Sequence, residues 1–226
     1  MKNLFIIIFL LTLFGCKKSD DGTAAIAGGN TTAAFTFNTV AGANGRIWMD
    51  RNLGATQVAT SSTDVNSYGD LYQWGRGTDG HQKRTSKTTN TISSTNSPGD
   101  IGFIIGSDWR SGIIASNIEV WNGTKSINNP CPTGYRVPTM DEWKLERASW
   151  SSNDAAGAFS SPLKLPMAGW RNSSNGIIMN VNAHIFYWSS TAYSYDSFAL
   201  FMTNGSTSND TYLNRATGGC LRCIKD

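Results

Sequence analysis

The segment 129–143 constrains this chain most, because it joins the start of a helix to a cysteine, Cys131. Thr139 and Glu142 have the spacing of a capping box, in which the Thr side chain accepts a hydrogen bond from the Glu backbone N–H and the Glu side chain reaches back. This pattern satisfies two of the N–H groups that every helix start leaves free. We therefore predict a helix that runs from Met140 to about Ser149.

The composition is typical of a domain with short strands and turn-rich loops. The chain has 226 residues, 39% hydrophobic and 11% aromatic, which suffices for a core without help from a metal or from repeats. Its 23 glycines and 8 tryptophans favour a sheet-rich fold. The formal net charge of +3 is small and unclustered, so we expect no nucleic-acid partner. One main domain is predicted.

Residues 1–15 resemble a bacterial lipoprotein signal peptide. Lys2 is followed by an apolar run, Leu4 to Phe14, that is too short to span a bilayer, and the segment ends in Gly15-Cys16. The acidic residues behind the cysteine resemble the surface-export signal of Bacteroidetes lipoproteins. This resemblance implies that Cys16 is lipidated and that the protein is anchored in the outer membrane and displayed at the cell surface. Residues 16–34 are small and polar and predict a flexible tether, followed by one domain over 35–226.

The hydrophobic pattern of that domain predicts an α+β architecture in which at least one helix packs on a sheet. Strands are predicted at 46–50, 163–171, 185–190, 198–203 and 219–225. Asn204-Gly205 is typical of a type I′ turn, which would pair the strand 198–203 with the segment 206–213. Residues 78–98 contain few apolar side chains and predict a long exposed loop.

The aromatic and titratable residues have mostly structural interpretations. We expect Trp48, Trp143, Trp170 and Trp188 in the core, because large aromatic side chains dominate burial, and Trp74 to be partly exposed. Asp141 and Glu142 stand at a helix N-terminus, where negative charge is stabilising. Neither His81 nor His184 has a nucleophile at sequence positions that would make a catalytic triad testable, so no catalytic residue is assigned.

The four cysteines are consistent with one disulfide and one lipid attachment. If Cys16 carries lipid, three remain for an oxidising compartment, and we favour the pair Cys131–Cys223, which stabilises the fold by roughly 4 kcal/mol. Cys220 is then a free thiol, an alternative partner, or a substitution at a tolerant position. Cys220 and Cys223 have the spacing of half a zinc site, but the sequence offers no second half, so no metal site is predicted.

Six sequence blocks stand in order along the chain: Trp48-Met-Asp-Arg-Asn-Leu-Gly-Ala55, Tyr68-Gly-Asp-Leu-Tyr-Gln-Trp-Gly-Arg76, Cys131-Pro-Thr-Gly-Tyr-Arg-Val-Pro-Thr139 with Glu142-Trp143, Leu165-Pro-Met-Ala-Gly-Trp-Arg171, Tyr187-Trp-Ser-Ser190 and Leu221-Arg-Cys-Ile-Lys225. Together these blocks resemble the Fibrobacter succinogenes major paralogous domain. The resemblance covers about residues 45–226. It implies a C-type lectin-like fold of the formylglycine-generating-enzyme variety, irregular and loop-rich with short antiparallel strands, in which the two ends of the domain are neighbouring strands. It also adds support to the Cys131–Cys223 pair.

The C-terminal segment 187–226 resembles the variable region of proteins that are diversified by retroelements. Such regions change a binding surface at adenine-containing codons between a fixed Tyr-Trp-Ser-Ser and a fixed Arg-Cys. An ordinary strand and loop region rich in Ser and Asn has the same composition, so diversification remains one of two alternatives. The resemblance implies these ligand-binding positions: Tyr193, Tyr195, Asp196, Phe198, Phe201, Thr203, Ser206, Ser208, Asn209, Asp210, Tyr212 and Asn214.

These observations predict a binding protein rather than an enzyme. Formylglycine-generating enzymes need a cysteine pair, which the favoured disulfide would split, and the calcium-binding triplets of C-type lectins do not occur in the sequence. We therefore expect a surface lipoprotein that binds a protein or carbohydrate ligand, without cofactor, through a face formed by about residues 187–220. Tyr193, Tyr195, Phe201 and Tyr212 are the expected anchors, because Tyr gives large contact area at low entropic cost. The alternative is a structural cell-envelope lipoprotein without a discrete ligand.

Overall fold

The computed structural model describes residues 22–23, 36–112, 120–203, 205 and 209–226. The predicted signal peptide, Cys16 and nearly all of the tether lie outside these residues. So do two predicted ligand positions, Ser206 and Ser208.

Short strands and two helices make up the described part of the chain, which is α+β and rich in loops. The helices are α1 (Met140–Ala148) and α2 (Ala155–Ser160), with 3₁₀ turns at Ala43–Gly45 and Val65–Ser67. The strands are β1 (Gly22–Thr23), β2 (Thr36–Phe37), β3 (Thr39–Ala41), β4 (Ile47–Met49), β5 (Tyr72–Gln73), β6 (Thr88–Thr89), β7 (Phe103–Ile104), β8 (Tyr135–Arg136), β9 (Trp170–Arg171), β10 (Ile178–Met179), β11 (His184–Tyr193), β12 (Asp196–Thr203), β13 (Asn209–Asn214), β14 (Gly218–Gly219) and β15 (Ile224–Lys225).

Most strands pair in small antiparallel sheets. One sheet has the order β11-β12-β13, a second β3-β4-β15-β8 and a third β10-β9-β14-β5. Two-stranded sheets join β1 to β2 and β6 to β7, and the pair β6–β7 is parallel. The predicted strand 163–171 is wrong in extent, because only Trp170–Arg171 pairs. Likewise, within the predicted strand 219–225, the segment between β14 and β15 is irregular.

The C-terminal strand β15 ties the two ends of the described domain together. Ile224 of β15 pairs with Trp48 of β4 on one side and with Arg136 of β8 on the other. Cys131, which precedes β8, forms a disulfide with Cys223, and their Cα atoms are 5.9 Å apart. The predicted disulfide is confirmed. The bond spans a sequence separation of 92 residues, so residues 131–223 form one covalent loop and β15 follows directly after it.

Helix α1 begins at Met140 as the capping box predicts. The Thr139 side chain accepts a hydrogen bond from the N–H of Glu142 at 3.2 Å, and Glu142 accepts one from the N–H of Thr139 at 2.9 Å. Arg136 donates to both oxygens of the Glu142 carboxylate, at 2.8 and 2.7 Å. Together these bonds hold the pKa of Glu142 below its usual range despite its burial. Glu142 is therefore a structural anion that fixes the helix start against β8.

Two aromatic core clusters lie on opposite faces of the β11-β12-β13 sheet. On one face, Trp143 of α1 packs against Trp48, with ring centroids 4.9 Å apart, and against Tyr187, at 5.6 Å. The other face holds Trp188 among further aromatic and aliphatic side chains. Because both faces are covered at its centre, this sheet has a continuous apolar run in β11 rather than an alternating pattern.

The prediction that Trp74 is partly exposed is wrong. Its side chain is fully buried, and its ring nitrogen donates to the backbone carbonyl of Ser189 at 2.8 Å. Trp121 packs against one part of the ring, at a centroid distance of 5.6 Å. Trp48, Trp143 and Trp188 are buried as predicted, whereas Trp170 is only half-buried.

The predicted exposed loop at 78–98 is wrong in part. His81 is fully buried, and its Nε2 accepts a hydrogen bond from the backbone N–H of Gln73 at 3.1 Å. Its Nδ1 lies 2.6 Å from the Asp79 carboxylate, and burial lowers the pKa of His81 to about 4. Polar side chains enter the interior here because each finds a hydrogen-bond partner, which a count of apolar residues does not reveal.

Candidate functional site

The hairpin of β11 and β12 carries six of the ten predicted ligand positions that the structure describes. Tyr193 pairs with Asp196, so Ser194 and Tyr195 form a two-residue turn, with Ser194 at φ +51°. On the other edge, β12 pairs with β13 from Asp196 to Phe201. The predicted pairing of 198–203 with the next segment is thus confirmed. The predicted turn at Asn204-Gly205 lies largely outside the described residues, although Gly205 has the positive φ of +80° that such turns require.

The pleat of this sheet divides the predicted positions between two faces. Alternate residues of a strand point to opposite sides, and the observed register extends each set across all three strands. Tyr195 stands apart, in the turn. One face carries Tyr193, Asp196, Phe198, Asp210, Tyr212 and Asn214, and the opposite face carries Phe201 and Thr203. Asn209 is the register partner of Phe201.

Phe201 therefore does not share a surface with the tyrosines. Its ring lies 5.1 Å from that of His184 and 6.4 Å from that of Phe186, and it is half-buried against the second core cluster. The expectation that Phe201 joins the three tyrosines as a fourth anchor on one surface is wrong. The reason is the two-residue period of a strand: Phe198 and Phe201 are an odd number of residues apart.

Three tyrosines form an exposed aromatic group, which we name the tyrosine surface: Tyr193, Tyr195 and Tyr212. Their exposed fractions are 44%, 68% and 49%. The rings of Tyr193 and Tyr212 lie 4.4 Å apart, and Phe198 supports both from below, at 5.0 and 6.2 Å. Because Phe198 also packs against the core, the two tyrosines rest on the folded scaffold rather than on a free loop.

Helix α1 covers the far end of the same face. Arg147 donates to the Asp210 carboxylate at 2.9 Å, and the Lys144 ammonium lies 3.5 Å from it. Asp210 was predicted to contact a ligand. In the structure its carboxylate is instead close to two cationic side chains of α1. Asp210 nevertheless remains exposed at this end of the face.

A pocket of about 260 Å³ adjoins the tyrosine surface at Tyr195. The hairpin contributes Tyr195, Asp196 and Asn214, and Asp196 stands directly opposite Asn214 in the register. The other wall is the segment 107–112, which contributes Asp108 and Arg110. This segment carries no sequence signal of a binding site, because only the packing of the domain brings it to the hairpin.

A buried arginine supports the turn beside this pocket. Arg215 donates from Nη2 to the carbonyl of Ser194 at 2.9 Å, and its guanidinium lies 4.7 Å from the Trp74 ring centroid. Burial lowers the pKa of Arg215, and the negative charges of Asp108 and Asp196 oppose that change. These two carboxylates line the pocket, so the Arg215 charge lies close behind its wall.

Asp108 is the titratable group of the pocket whose acidity the fold changes most clearly. Burial raises its pKa to about 6. The backbone N–H of Arg110, which donates to Asp108 at 3.2 Å, and the charge of Arg215 only partly offset this burial. The cost of burying the negative charge of Asp108 is therefore only partly offset in the folded protein.

Cys220 does not lie on the exposed surface of the hairpin. Its side chain is fully buried, and its Sγ donates to the Tyr68 carbonyl at 3.7 Å. Burial raises the pKa of the thiol to about 11. Among the alternatives that the sequence left open, Cys220 is the free thiol, and it is not an exposed variable position.

Within the described residues, no group of three or more His, Cys, Asp or Glu side chains is placed to hold a metal ion. No helix of the described part has the length and apolar character that crossing a membrane requires. The pocket beside Tyr195 thus holds polar and charged side chains but no such metal-binding group.

Comparison with known proteins gives no match: no family model, no curated protein and no solved structure is similar to this chain. The resemblance to the major paralogous domain thus rests on the six sequence blocks alone. The geometry of the tyrosine surface and its pocket is the basis for assigning a function.

Proposed function

We propose that this protein is a non-enzymatic surface lipoprotein that binds a protein or glycan ligand through the tyrosine surface. The observation that carries the proposal is the exposure of Tyr193, Tyr195 and Tyr212 at one end of a sheet whose centre is covered on both faces. Large aromatic side chains left in solvent next to a polar pocket are typical of binding sites.

The chemistry of tyrosine suits this role. Each ring offers a large, rigid contact area with only two rotatable side-chain bonds, and its hydroxyl adds a hydrogen bond. Tyr193 and Tyr212 already contact each other at 4.4 Å, so part of the entropic cost of ordering them is met before a ligand arrives.

The scaffold beneath the surface is rigid. The Cys131–Cys223 disulfide closes the loop that contains the hairpin, and the Arg215 guanidinium holds the Ser194 carbonyl at the turn. Arg147 fixes β13 to α1 through Asp210. A rigid base of this kind allows the exposed side chains to differ between variants without loss of the fold.

We also infer a C-type lectin-like fold of the formylglycine-generating-enzyme variety and membership of the major paralogous domain family. The pairing of β4 with β15, which makes the two ends of the domain neighbours, supports this inference. So does the start of α1 directly after Pro138-Thr139. Lipidation of Cys16, anchoring in the outer membrane and display at the cell surface are part of the proposal and rest on the N-terminal sequence.

The binding proposal is tested with the full-length chain on glycan and surface-protein arrays. A triple variant, Tyr193→Ser with Tyr195→Ser and Tyr212→Ser, is compared with the wild type. The matched control removes three apolar side chains of similar exposure elsewhere: Val65→Ser, Ile101→Ser and Ile127→Ser, which are 68%, 66% and 67% exposed. Circular dichroism and thermal unfolding establish that each variant is folded.

We expect the wild type and the control to retain a ligand that the tyrosine variant binds at least tenfold more weakly. Equal binding by the tyrosine variant would contradict the proposed site. A wild-type chain that binds nothing on either array favours the alternative, a structural envelope lipoprotein.

Diversification by a retroelement is tested separately, on the gene. We propose that the codons for the exposed hairpin positions differ from a nearby template-like repeat only at adenines. Differences spread over all four bases, or the absence of a repeat, would refute diversification and leave the binding proposal intact.

A further inference from the structure

The pocket beside Tyr195 brings hydrogen-bond donors and acceptors to opposite walls. Asp108 and Asp196 contribute carboxylate acceptors, Arg110 contributes guanidinium donors, and Asn214 offers both kinds of group. All are planar groups capable of paired hydrogen bonds. A ligand that fits this pocket must itself donate and accept over a short distance.

The formal charges around the pocket cancel. Asp108 and Asp196 contribute two negative charges, while Arg110 and the buried Arg215 contribute two positive charges. A phosphate-like anion would therefore meet two carboxylates, and a cation would meet two guanidinium groups. The balance of charge favours a neutral polar ligand over either ion.

Arg110, which lines the pocket, and the buried Arg215, which does not line it, each have one unpaired donor within the described part of the chain. Arg215 Nη1 and Arg110 Nε have no hydrogen-bond partner among the residues that the structure describes. Unpaired buried donors are costly, and such groups in a native protein call for a ligand or a water molecule. A hydroxyl group both donates and accepts, so neighbouring hydroxyls can bridge the two carboxylates and the Arg110 guanidinium that line this site.

The rim and the size of the pocket restrict the ligand further. Tyr195 is 68% exposed at the rim and presents an aromatic ring beside the polar walls. The volume of about 260 Å³ is smaller than the roughly 300–1,000 Å³ of pockets for drug-sized ligands. A single ring fits the small volume. Its C–H groups can lie on the Tyr195 ring, and hydroxyls at its edge can meet the polar walls.

We propose that this pocket is a subsite for one neutral monosaccharide unit of a glycan. Asp108, Asp196 and Asn214 hydrogen-bond its hydroxyls, and Tyr195 stacks against its ring. Arg215 is a positioning residue, which holds the turn and faces the two carboxylates from behind. This inference rests on the proposed function and narrows its ligand from protein or glycan to glycan.

The test uses the full-length protein and two probes. A microarray of neutral glycans identifies the bound set, and the monosaccharide that these glycans share is then titrated by calorimetry. The pocket variant is Asp108→Asn with Asp196→Asn, which keeps the side-chain shapes. Its matched control is Asp141→Asn, whose side chain is 90% exposed on α1.

We expect the pocket variant to bind the monosaccharide at least tenfold more weakly than the wild type and the control. A second measurement does not depend on any variant: the side-chain amide resonances of Asn214 should shift on addition of the monosaccharide. Thermal unfolding shows whether the pocket variant is folded. If it is not, the Asn214 shifts decide the question.

Failure of this inference is distinct from failure of the proposed function. If the wild type binds no neutral glycan but binds a protein through the tyrosines, the sugar subsite is refuted and the binding function stands. A monosaccharide that binds with no effect of the pocket variant and no shift at Asn214 places the subsite elsewhere and refutes the inference. If no ligand of either class binds, both proposals fail.

Discussion

Asn52 and Arg222 lie 170 positions apart in the chain, and the side-chain oxygen of Asn52 accepts hydrogen bonds from Arg222 Nη2 at 2.8 Å and Nε at 3.2 Å. The same oxygen accepts a bond from the Tyr187 hydroxyl at 2.8 Å. All three side chains are buried, and burial lowers the pKa of Arg222. The neutral amide of Asn52 thus supplies hydrogen-bond acceptance that partly offsets the burial of the Arg222 charge.

The first prediction concerns this amide. Asn52→Leu should lower the free energy of unfolding by about 2–3 kcal/mol, because two donors of the buried Arg222 guanidinium, Nη2 and Nε, lose their acceptor. Tyr187→Phe removes one neutral hydrogen bond and should cost about 1 kcal/mol. Urea unfolding measures both. Equal costs for the two variants would show that Asn52 does not compensate Arg222.

The second prediction concerns the disulfide. Cys131→Ala with Cys223→Ala should lower the free energy of unfolding by about 4 kcal/mol, because the open chain gains entropy in the unfolded state. Chemical unfolding with and without a reducing agent measures this. Reduction should destabilise the wild type and a Cys220→Ala control, and should leave the double variant unchanged. An effect of the reductant on the double variant would contradict the assigned pairing.

The third prediction concerns the reactivity of Cys220. Its thiol is fully buried with a pKa raised to about 11, so almost no thiolate forms at pH 7. Iodoacetamide should therefore leave Cys220 unmodified in the folded protein and alkylate it once the chain is unfolded in urea. Mass spectrometry reads the result. Rapid alkylation of the folded protein would show that the thiol is accessible.

The fourth prediction concerns the capping box. Thr139→Ala should lower the free energy of unfolding by about 1 kcal/mol, because the N–H of Glu142 loses its acceptor at the start of α1. Thr91→Ala, at an exposed position outside the helices, is the matched control and should have little effect. If the two substitutions cost the same, the cap does not stabilise the helix.

The fifth prediction concerns pH. The pKa of Asp108 is raised from 3.8 to about 6 in the folded state, so between these values the folded protein binds a proton more readily than the unfolded chain. By linkage, the contribution of this group to stability is fully present below about pH 4 and is lost as pH rises through 6. Asp108→Asn should therefore stabilise the protein at pH 7 and confer little advantage at pH 4.

The expected gain at pH 7 is about 1–2 kcal/mol, since one pKa unit corresponds to roughly 1.4 kcal/mol and solvent screens this partly exposed carboxyl. Thermal unfolding of the wild type, Asp108→Asn and the exposed control Asp141→Asn across pH 4–8 measures it. If Asp108→Asn stabilises the protein equally at every pH, the effect does not come from the ionisation of Asp108.

Features that depend on neighbours in the chain were predicted well. Thr139 and Glu142 are three residues apart, so a single turn of helix decides whether they meet, and the predicted helix start is correct. The strand around Trp48 and the antiparallel pairing of β12 with β13 also follow from local pattern and turn chemistry. Local sequence pattern alone does not identify Cys223 as the partner of Cys131. The family resemblance supported that choice.

Features that depend on packing between distant segments were not predicted. Trp74 is buried because Ser189 accepts its N–H and Trp121 covers its ring, and neither residue is near it in sequence. His81 is buried in the core, where its Nε2 accepts a hydrogen bond from the backbone N–H of Gln73. The pocket joins Asp108 to a hairpin some ninety residues away, through a short polar loop that has no motif of its own.

The sequence by itself determined the α+β class, the helix start and the pairing of β12 with β13, and it supplied the tyrosines of the proposed binding surface. These follow from propensity, periodicity and capping, which act over a few residues. Only the tertiary structure decided which of those side chains share a face, which are covered by α1, and which loop completes the pocket. That division has one physical cause: burial and charge compensation depend on distances between segments that the order of residues does not encode locally.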